Sequence, residues 1–321
     1  MDRLDKTLLL KLLCNSRTSY RKLATQMGVT CPTIKRRVDQ LVEAGIIERF
    51  TVELSQETLG VAWAYAEIIT DLSENRDDLI HEVCAHESTK EIYAVGPKRY
   101  LVFAELPYPD GVYEYGRFLR GINGVRSAEL VPARQIPSGQ LSYNCKYASR
   151  GKKAEFSFQQ MNVLGHLAAD ARMPFQELAE KTGYKQKRLR RILKELDESG
   201  AVHFTISMNN TPESCISFIL KIGFHESKVT PRELASWIEE EFGREYWISF
   251  LLANKPVLIN YMTTDNLSKI ETIIRRMKTS EYIDDVETML IYHIEKNSGN
   301  GLGISQNASP TGVLEVSPIA I

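Results

Sequence analysis

The chain contains a long internal repeat, which restricts its fold more than any other feature of the sequence. A shift of 155 positions, which brings Leu23 onto Leu178, aligns residues 21–47 with residues 176–202 without a gap. Self-similarity at a fixed spacing indicates a duplicated structural unit, so we predict two copies of one architecture. The further identities are Arg17 with Arg172, Ala24 with Ala179, Gly28 with Gly183, Arg36 with Arg191, Leu41 with Leu196, Glu43 with Glu198 and Gly45 with Gly200.

Each copy begins with a pattern typical of a winged helix-turn-helix. In the first copy, leucines recur at helical spacing, Ser19 can cap the second helix, and Gly28 can end it in a left-handed turn. Pro32 suits the first turn of the third helix, where a missing N–H costs nothing. The predicted elements are helices over 5–15, 20–27 and 31–44 with a strand and wing over 46–54, and in the second copy helices over 157–169, 175–182 and 185–199 with a strand over 201–208.

After each such unit the order changes to β-α-β-β-α-β, which fits a ferredoxin-like sandwich of one antiparallel sheet and two helices. We therefore predict an α+β chain in which two winged helix-turn-helix domains alternate with two ferredoxin-like (βαββαβ) modules. The last strand is predicted over 125–131 in the first module and over 286–294 in the second. The predicted domains are winged units at 1–56 and 155–210, modules at 60–131 and 213–296, a linker at 132–154 and a disordered tail at 297–321.

The third helix of each winged unit combines an apolar stripe with a basic face. Such a helix lies in the major groove of DNA, where Arg can bond guanine and Thr can touch a thymine methyl group. The candidate DNA-binding residues are Thr30, Cys31, Thr33, Lys35, Arg36 and Arg37 in the first copy, and Lys185, Gln186, Lys187, Arg188, Arg190, Arg191 and Lys194 in the second. The partner predicted by both faces is double-stranded DNA. The denser charge of the second face suits phosphate anchoring, and a merely solvated helix face is the alternative.

The composition is that of a globular protein, with 43% hydrophobic and 25% charged residues. No apolar run is long enough to span a bilayer, and the N-terminal segment lacks a signal-peptide pattern, so we expect a cytoplasmic protein without a membrane partner. The formal charge of -1 does not itself favour nucleic acid, but phosphate binding needs only a local basic face. The five cysteines are scattered, so we expect neither disulfides nor a metal site, and no cofactor.

At these residues the chain resembles the Lrp/AsnC family of bacterial and archaeal transcriptional regulators. The resemblance covers residues 1–131 well and 156–295 more loosely. It implies a sequence-specific regulator whose β-α-β-β-α-β module mediates dimerisation and often binds an amino acid. The matching motifs are Leu4-Asp5, Asn15-Ser16-Arg17, Lys22-Leu23-Ala24, Gly28-Val29-Thr30, Arg37-Val38, Leu41 and Gly45-Ile46-Ile47.

The loop that would bind an effector in this family departs from the family pattern. The first copy has Gly96, Lys98 and Arg99 where the family usually has a glycine followed by an acid. The second copy has no glycine over residues 252–256. The two cations would suit an anionic small-molecule effector better than an amino acid, and exposed turn cations without a ligand are the alternative.

Two other functions are compatible with this architecture. Some proteins that share it are decarboxylases of a modified tetrapyrrole of the siroheme type, which would need histidines and arginines converging on an anionic macrocycle. The six histidines show no paired spacing, so we expect no enzyme activity. They are His81, His86, His166, His203, His225 and His293. The other alternative is an interaction scaffold whose second winged unit no longer binds DNA.

The duplication also predicts how the chain assembles. Two modules in one chain have a high local concentration around each other, so we expect them to pair within the chain as a pseudo-symmetric dimer. Pairing between chains, as a homo-oligomer with true two-fold symmetry, is the alternative.

Overall fold

The computed structural model describes residues 2–107, 109–137, 153–209 and 215–297. The chain forms two compact units, and each unit is built from parts of both copies. The described part of the helical unit is residues 2–59 and 153–209, and that of the sheet unit is 60–107, 109–137 and 215–297. Most of the predicted linker and nearly all of the predicted tail lie outside the described residues.

The order of helices and strands follows the predicted pattern in both copies. In the first copy the elements are α1 (Arg3–Cys14), α2 (Tyr20–Met27), α3 (Cys31–Glu43), β1 (Ile47–Leu54), α4 (Gln56–Leu59), β2 (Val61–Thr70), α5 (Arg76–Ala85), β3 (Thr89–Gly96), β4 (Arg99–Pro107), α6 (Asp110–Gly121) and β5 (Val125–Ile136). In the second copy they are α7 (Phe158–Ala169), α8 (Phe175–Thr182), α9 (Gln186–Ser199), β6 (Val202–Met208), β7 (Ile216–Phe224), α10 (Pro231–Phe242), β8 (Tyr246–Leu252), β9 (Val257–Thr264), α11 (Leu267–Lys278), β10 (Ile283–Leu290) and β11 (His293–Lys296).

The first helix of each copy begins with the same capping device at the same place in the repeat. Asp2 accepts a hydrogen bond from the Asp5 N–H at 2.8 Å, and the Asp5 carboxylate accepts one from the Asp2 N–H at 3.0 Å. Ser157 and Gln160 form the equivalent capping box before α7. Such a box satisfies N–H groups that no helix can satisfy internally, so it fixes where each helix starts.

The strands of the helical unit are exchanged between the two copies. β1 pairs antiparallel with β6, so that Thr51 lies opposite Thr205. Val52 and Leu54 of β1 are buried in the core formed by the helices of the second copy. The predicted strand over 46–54 is therefore present, but its partner belongs to the other copy. Nothing in the local sequence indicated this pairing.

The strands described for the sheet unit form one antiparallel nine-stranded sheet in the order β10-β7-β9-β8-β5-β2-β4-β3-β11. Each module contributes four consecutive strands in the ferredoxin-like order, which are β5-β2-β4-β3 and β10-β7-β9-β8. The two sets join where the end of β5 pairs with β8, with Ile136 opposite Ser249. At the other end, β11 of the second module pairs with β3 of the first.

A shared aromatic core lies between the strands of the two modules. Tyr65, Tyr93 and Phe103 from the first module pack in one cluster with Phe250 and Tyr261 from the second. The ring centres of Phe103 and Phe250 are 4.9 Å apart. Each module also has its own core on the opposite face of its strands, beneath its two helices. The strands are therefore apolar on both faces.

Three details correct the sequence predictions. β5 continues five residues beyond the predicted end, to Ile136, because that extension has a pairing partner in β8. The strand predicted over 286–294 is interrupted at Ile291 and Tyr292, and its two halves pair with β7 and β3. The short helix α4 was not predicted. In the described part of the chain, every helix is too short or too polar to cross a membrane.

Candidate nucleic-acid interface

Helix α3 presents one apolar and one polar face. Ile34, Val38 and Leu41 are buried against the winged unit. Thr30 is the N-cap, and its hydroxyl oxygen accepts a hydrogen bond from the Thr33 N–H at 3.3 Å. The hydroxyl groups of the two threonines are 2.8 Å apart. The two threonines therefore organise the first turn of the helix, and Thr30 also faces solvent.

The exposed surface of α3 carries two cations from the predicted set. Lys35 and Arg36 are exposed, and so are Thr30 and Cys31 at the start of the helix, whereas Thr33 is half-buried. Free N–H groups and the helix dipole give the start of a helix a partial positive charge. This end of α3 thus combines fixed hydrogen-bond donors with two mobile cationic side chains.

Arg37 points elsewhere. Its guanidinium lies 2.8 Å from a carboxylate oxygen of Asp2 and 2.6 Å from one of Asp5, and its side chain is 21% exposed. The hydrogen bonds that Arg37 donates to Asp5 and Asp2 raise the pKa of Arg37. The Asp5 N–H has the largest effect in lowering the pKa of Asp2, and the bond from Arg37 adds to it. Arg37 joins α3 to the start of α1. Of the predicted DNA-binding residues on α3, Arg37 is thus the one held by carboxylates of the protein.

Helix α9 carries a denser basic face around an equally apolar stripe. Leu189, Ile192 and Leu196 are buried. The exposed members of the predicted set are Lys185, Gln186, Lys187, Arg190, Arg191 and Lys194. Arg188 is half-buried, and its Nε donates a 2.9 Å hydrogen bond to Gln159 on α7. Arg188 is thus turned toward the neighbouring helix and away from the exposed face.

Several of the exposed cations on α9 have weak local partners. Arg191 lies 3.2 Å from Glu195, and Lys194 lies 3.7 Å from Glu198, one helical turn further along in each case. Exposed pairs of this kind contribute about 0.2–1 kcal/mol. A phosphate group, which forms stronger charge-assisted bonds, can therefore displace them at small cost.

A reciprocal exchange of hydrogen bonds joins the two winged units. The Ser16 N–H donates to the Phe204 carbonyl at 2.9 Å, and the Ala171 N–H donates to the Phe50 carbonyl at 2.9 Å. Ser16 and Ala171 occupy the same place in the repeat. The contacts between the copies are therefore related by an approximate two-fold axis within the helical unit.

Arg17 and Arg172 extend this symmetry. Arg17 donates a hydrogen bond to the Ala171 carbonyl, and Arg172 donates to the Ser16 carbonyl at 2.6 Å and the Thr18 carbonyl at 3.1 Å. Burial lowers the pKa of both guanidinium groups. Two arginines from equivalent positions thus bind the turn of the opposite copy. The sequence signal for this role is that the same residue, arginine, occurs at both places in the repeat, but the signal does not by itself reveal the partner carbonyl groups.

The comparisons with known proteins agree with this geometry. The model of a winged helix-turn-helix DNA-binding family matches the chain twice, over residues 1–48 and 159–202. An uncharacterised HTH-type transcriptional regulator of Pyrococcus furiosus is 30% identical over 145 residues, which are 97% of that protein and 44% of this chain. The regulatory protein AsnC of Escherichia coli is 42% identical over 60 residues, 40% of its length and 19% of this chain. This chain belongs to the Lrp/AsnC family of transcriptional regulators.

Like its relatives, this Lrp/AsnC-family protein is a DNA-binding transcriptional regulator, and it carries the DNA-binding domain twice. Among solved structures, the siroheme decarboxylase NirDL matches it with a TM-score of 0.55 and 13% identity, over 91% of this chain and 92% of that one. That likeness extends over both copies. At such low identity it shows a common fold alone.

In this family member, one residue of the predicted effector turn, Arg99, is held by internal ion pairs. Arg99 contacts Glu67 at 2.6 Å and also Glu287 of the second module, while Lys221 lies 3.1 Å from Glu67. The bond to Glu287 raises the pKa of Arg99, and the same bond lowers the pKa of Glu287. Gly96 is half-buried, and Lys98 is exposed. Arg99 is therefore committed to carboxylates of the protein.

Proposed function

We propose that this regulator binds double-stranded DNA with α3 and α9 together, as an intramolecular pseudo-dimer. The observation that carries the proposal is the reciprocal joining of the two winged units, which fixes two exposed basic helices in one helical unit. In helix-turn-helix proteins such paired helices enter successive stretches of the major groove. The matching contacts made by Arg17 and Arg172 support the same arrangement.

In this proposal α3 reads bases. Arg36 is exposed near the start of the helix, where side chains reach base edges, and an arginine can donate two hydrogen bonds to guanine. Thr30 and Thr33 lie at the same end and can contact a thymine methyl group or bond a base. Lys35 flanks them and is placed to bind the phosphate backbone.

Helix α9 anchors the complex through phosphates. Its exposed set is dominated by lysines and arginines, whose charge is attracted to the backbone whatever the base sequence. Only Gln186 among the exposed members of that set is a neutral side chain able to bond a base edge. We expect α9 to supply affinity and salt dependence more than base specificity.

The test compares neighbouring arginines on α3, measured with the full chain by fluorescence anisotropy on duplex DNA selected for binding. Arg36→Ala should weaken binding to the preferred site by about 1–3 kcal/mol and relax one base position. Arg37→Ala is the matched control, because Arg37 is bound to Asp2 and Asp5 and should leave DNA affinity per folded molecule unchanged. Equal losses from both substitutions would contradict the proposed reading face.

We further propose that the protein acts without enzyme activity. His86 packs against Tyr115 and Phe118, and His203 contacts the Leu13 carbonyl at 2.7 Å, so both rings have structural partners. A decarboxylase of a tetrapyrrole would bind its substrate, and titration would give a saturable shift of the visible absorption band of the tetrapyrrole. Salt-sensitive DNA binding with no such shift supports the regulator alone, whereas a saturable shift would contradict it.

An effector is not part of the proposed function. Of the two cations predicted at the effector turn, only Lys98 has an exposed side chain, since Arg99 is bound by Glu67 and Glu287. A single exposed lysine binds an anionic ligand only weakly, because water screens the attraction between their charges.

A further inference from the structure

The two proposed DNA-contacting helices occupy equivalent places but present different chemistry. At four places in the repeat, a cation on α9 replaces a neutral or acidic residue at the start or on the face of α3. The pairs are Thr30 and Lys185, Pro32 and Lys187, Thr33 and Arg188, and Asp39 and Lys194. Of these, the exchange of Asp39 for Lys194 reverses the charge at a position that is exposed in both copies.

The internal joining of the winged units fixes which helices act together. β1 pairs with β6 along its whole length, and residues of β1 complete the core of the second winged unit. Each DNA-facing pair therefore consists of one α3 and one α9 from the same chain. A pair made of two identical helices would require this shared core to separate and reform.

From these observations, and on the basis of the proposed function, we propose that one chain recognises a non-palindromic DNA site with two unlike half-sites. Half-site symmetry mirrors protein symmetry, and the approximate two-fold axis of this protein relates unlike helices. The half-site under α3 has a defined base sequence. The half-site under α9 tolerates many sequences.

The side chains of α9 explain why its half-site is tolerant. Lys185, Lys187 and Lys194 are exposed and end in point charges on flexible stems, which suit phosphate oxygens and lack the forked geometry that reads guanine.

The arginines of α9 have partners within the protein. Arg191 lies 3.2 Å from Glu195, and Arg190 lies 5.6 Å from the centre of the Phe175 ring. Arg188, which stands in the place of Thr33, is held by Gln159. Contacts to phosphates set the position of a protein on DNA and carry no direct sequence information.

The first experiment selects bound duplexes from a random pool with the full chain and measures the mass of the resulting complex. We expect one conserved block on one side of the site, a degenerate block on the other, and one chain per site. A palindromic consensus, or two chains per site, would overturn this inference while leaving the DNA-binding proposal standing. Failure to bind any duplex in a salt-dependent manner would instead overturn the proposed function.

The second experiment gives α9 the residues at the start and on the polar face of α3. The substitutions are Lys185→Thr, Gln186→Cys, Lys187→Pro, Arg188→Thr, Arg190→Lys and Lys194→Asp. α9 should still form, because Thr as N-cap and Pro in the first turn already begin α3 at the same place in the repeat. We expect selection to yield the conserved block twice, in inverted orientation.

The matched control changes the same six positions to Ala, which removes the charges without supplying the α3 residues. It should bind more weakly and select the conserved block on one side only. Circular dichroism of both variants reports whether the helices are retained. A correctly folded six-residue exchange variant that still selects a one-sided site would overturn the inference.

Discussion

Helices α3 and α9 show how the two copies have diverged on different surfaces. Their buried stripes are alike, with Ile34 matching Leu189 and Leu41 matching Leu196, all inaccessible or nearly so. Their exposed faces differ in charge at three places, where Lys185, Lys187 and Lys194 replace Thr30, Pro32 and Asp39. Packing limits which side chains can occupy the interior, whereas solvent accepts nearly any polar residue. The duplication has therefore preserved the buried scaffold, while the exposed face that we propose binds DNA has diverged.

At one position in the repeat, the first copy has a paired cation and the second copy has a buried apolar side chain. Arg37 in α3 is paired with Asp2 and Asp5, whereas the equivalent residue of α9, Ile192, is fully buried. In the second copy the capping residues at the places of Asp2 and Asp5 are Ser157 and Gln160, which are uncharged. Because a buried cation without a partner is costly, the charged cap and the arginine are expected to change together.

The largest expected effect concerns the exposed cations of α9, which we propose bind phosphates. The triple variant Lys187→Ala, Arg190→Ala and Lys194→Ala should lower the slope of log affinity against log salt by about 0.9 for each phosphate that is no longer neutralised. Affinity measured over a range of salt concentrations gives this slope. Removing three cations from α11, with Lys269→Ala, Arg275→Ala and Lys278→Ala, is the charge-matched control. If the α9 variant keeps the slope of the unmodified protein, α9 does not face DNA.

A second difference between the copies is sensitive to pH. The hydroxyl groups of Thr205 and Thr51 donate hydrogen bonds to the Leu13 and Ala168 carbonyls, which are equivalent in the repeat, so the two threonines occupy equivalent places in β6 and β1. His203, two residues before Thr205, therefore corresponds to the exposed Arg49. Burial lowers the pKa of His203 to about 4. As the pH falls from about 6.5 to 4, the unfolded chain takes up a proton that the folded chain does not. Stability should therefore decrease over this window, by at most roughly 3 kcal/mol.

Urea unfolding at several pH values measures this effect, with His203→Gln as the comparison because its amide does not titrate. The substitution should flatten the dependence of stability on pH between about 4 and 6.5. A variant whose pH dependence matches that of the unmodified chain would show that His203 is not the titrating group.

The third prediction compares how much Arg17 and Arg172 each contribute to the free energy of unfolding. Arg172 bonds two carbonyl groups and lies 4.6 Å from the ring centres of both Tyr20 and Phe50. Arg17 bonds one carbonyl and lies 5.8 Å from the two rings nearest to it. Because truncation leaves buried acceptors unsatisfied, Arg172→Ala should lower the free energy of unfolding by about 2–3 kcal/mol and Arg17→Ala by about 1–2.

Chemical denaturation of both variants tests this order, with Arg49→Ala as the control for removal of an exposed arginine. A larger decrease from Arg17→Ala than from Arg172→Ala would show that the number of carbonyl partners does not determine the stability of this junction.

The smallest effect concerns the one arginine that α3 and α9 share. Arg36 and Arg191 are equivalent, but Arg191 already has Glu195 as a partner at 3.2 Å. We expect Arg191→Ala to weaken binding by less than about 1 kcal/mol, and equally for all DNA sequences, in contrast to Arg36→Ala. Competition binding with single-base variants of the selected site distinguishes a uniform decrease from a base-specific one.

The sequence alone determined the local structure of this protein. The leucine spacing, the caps at Ser19 and Thr30, and the glycines at 28 and 183 each act within a few residues, so they fix the helices α2, α3 and α8 close to their observed ends. The repeat likewise indicated two winged units and two ferredoxin-like modules. These features depend on backbone preferences and periodic burial, which are properties of short segments.

Only the tertiary structure decided which segments pair and which charged side chains are free. The pairing of β1 with β6, the extension of β5 onto β8, and the binding of Arg37 and Arg99 by carboxylates all join residues far apart in the chain. The local sequence does not distinguish a basic helix residue that faces solvent from one that contacts an acidic partner. Its role is set by which charges the fold brings within about 4 Å, because the energy of an ion pair depends on that distance and on exposure to water.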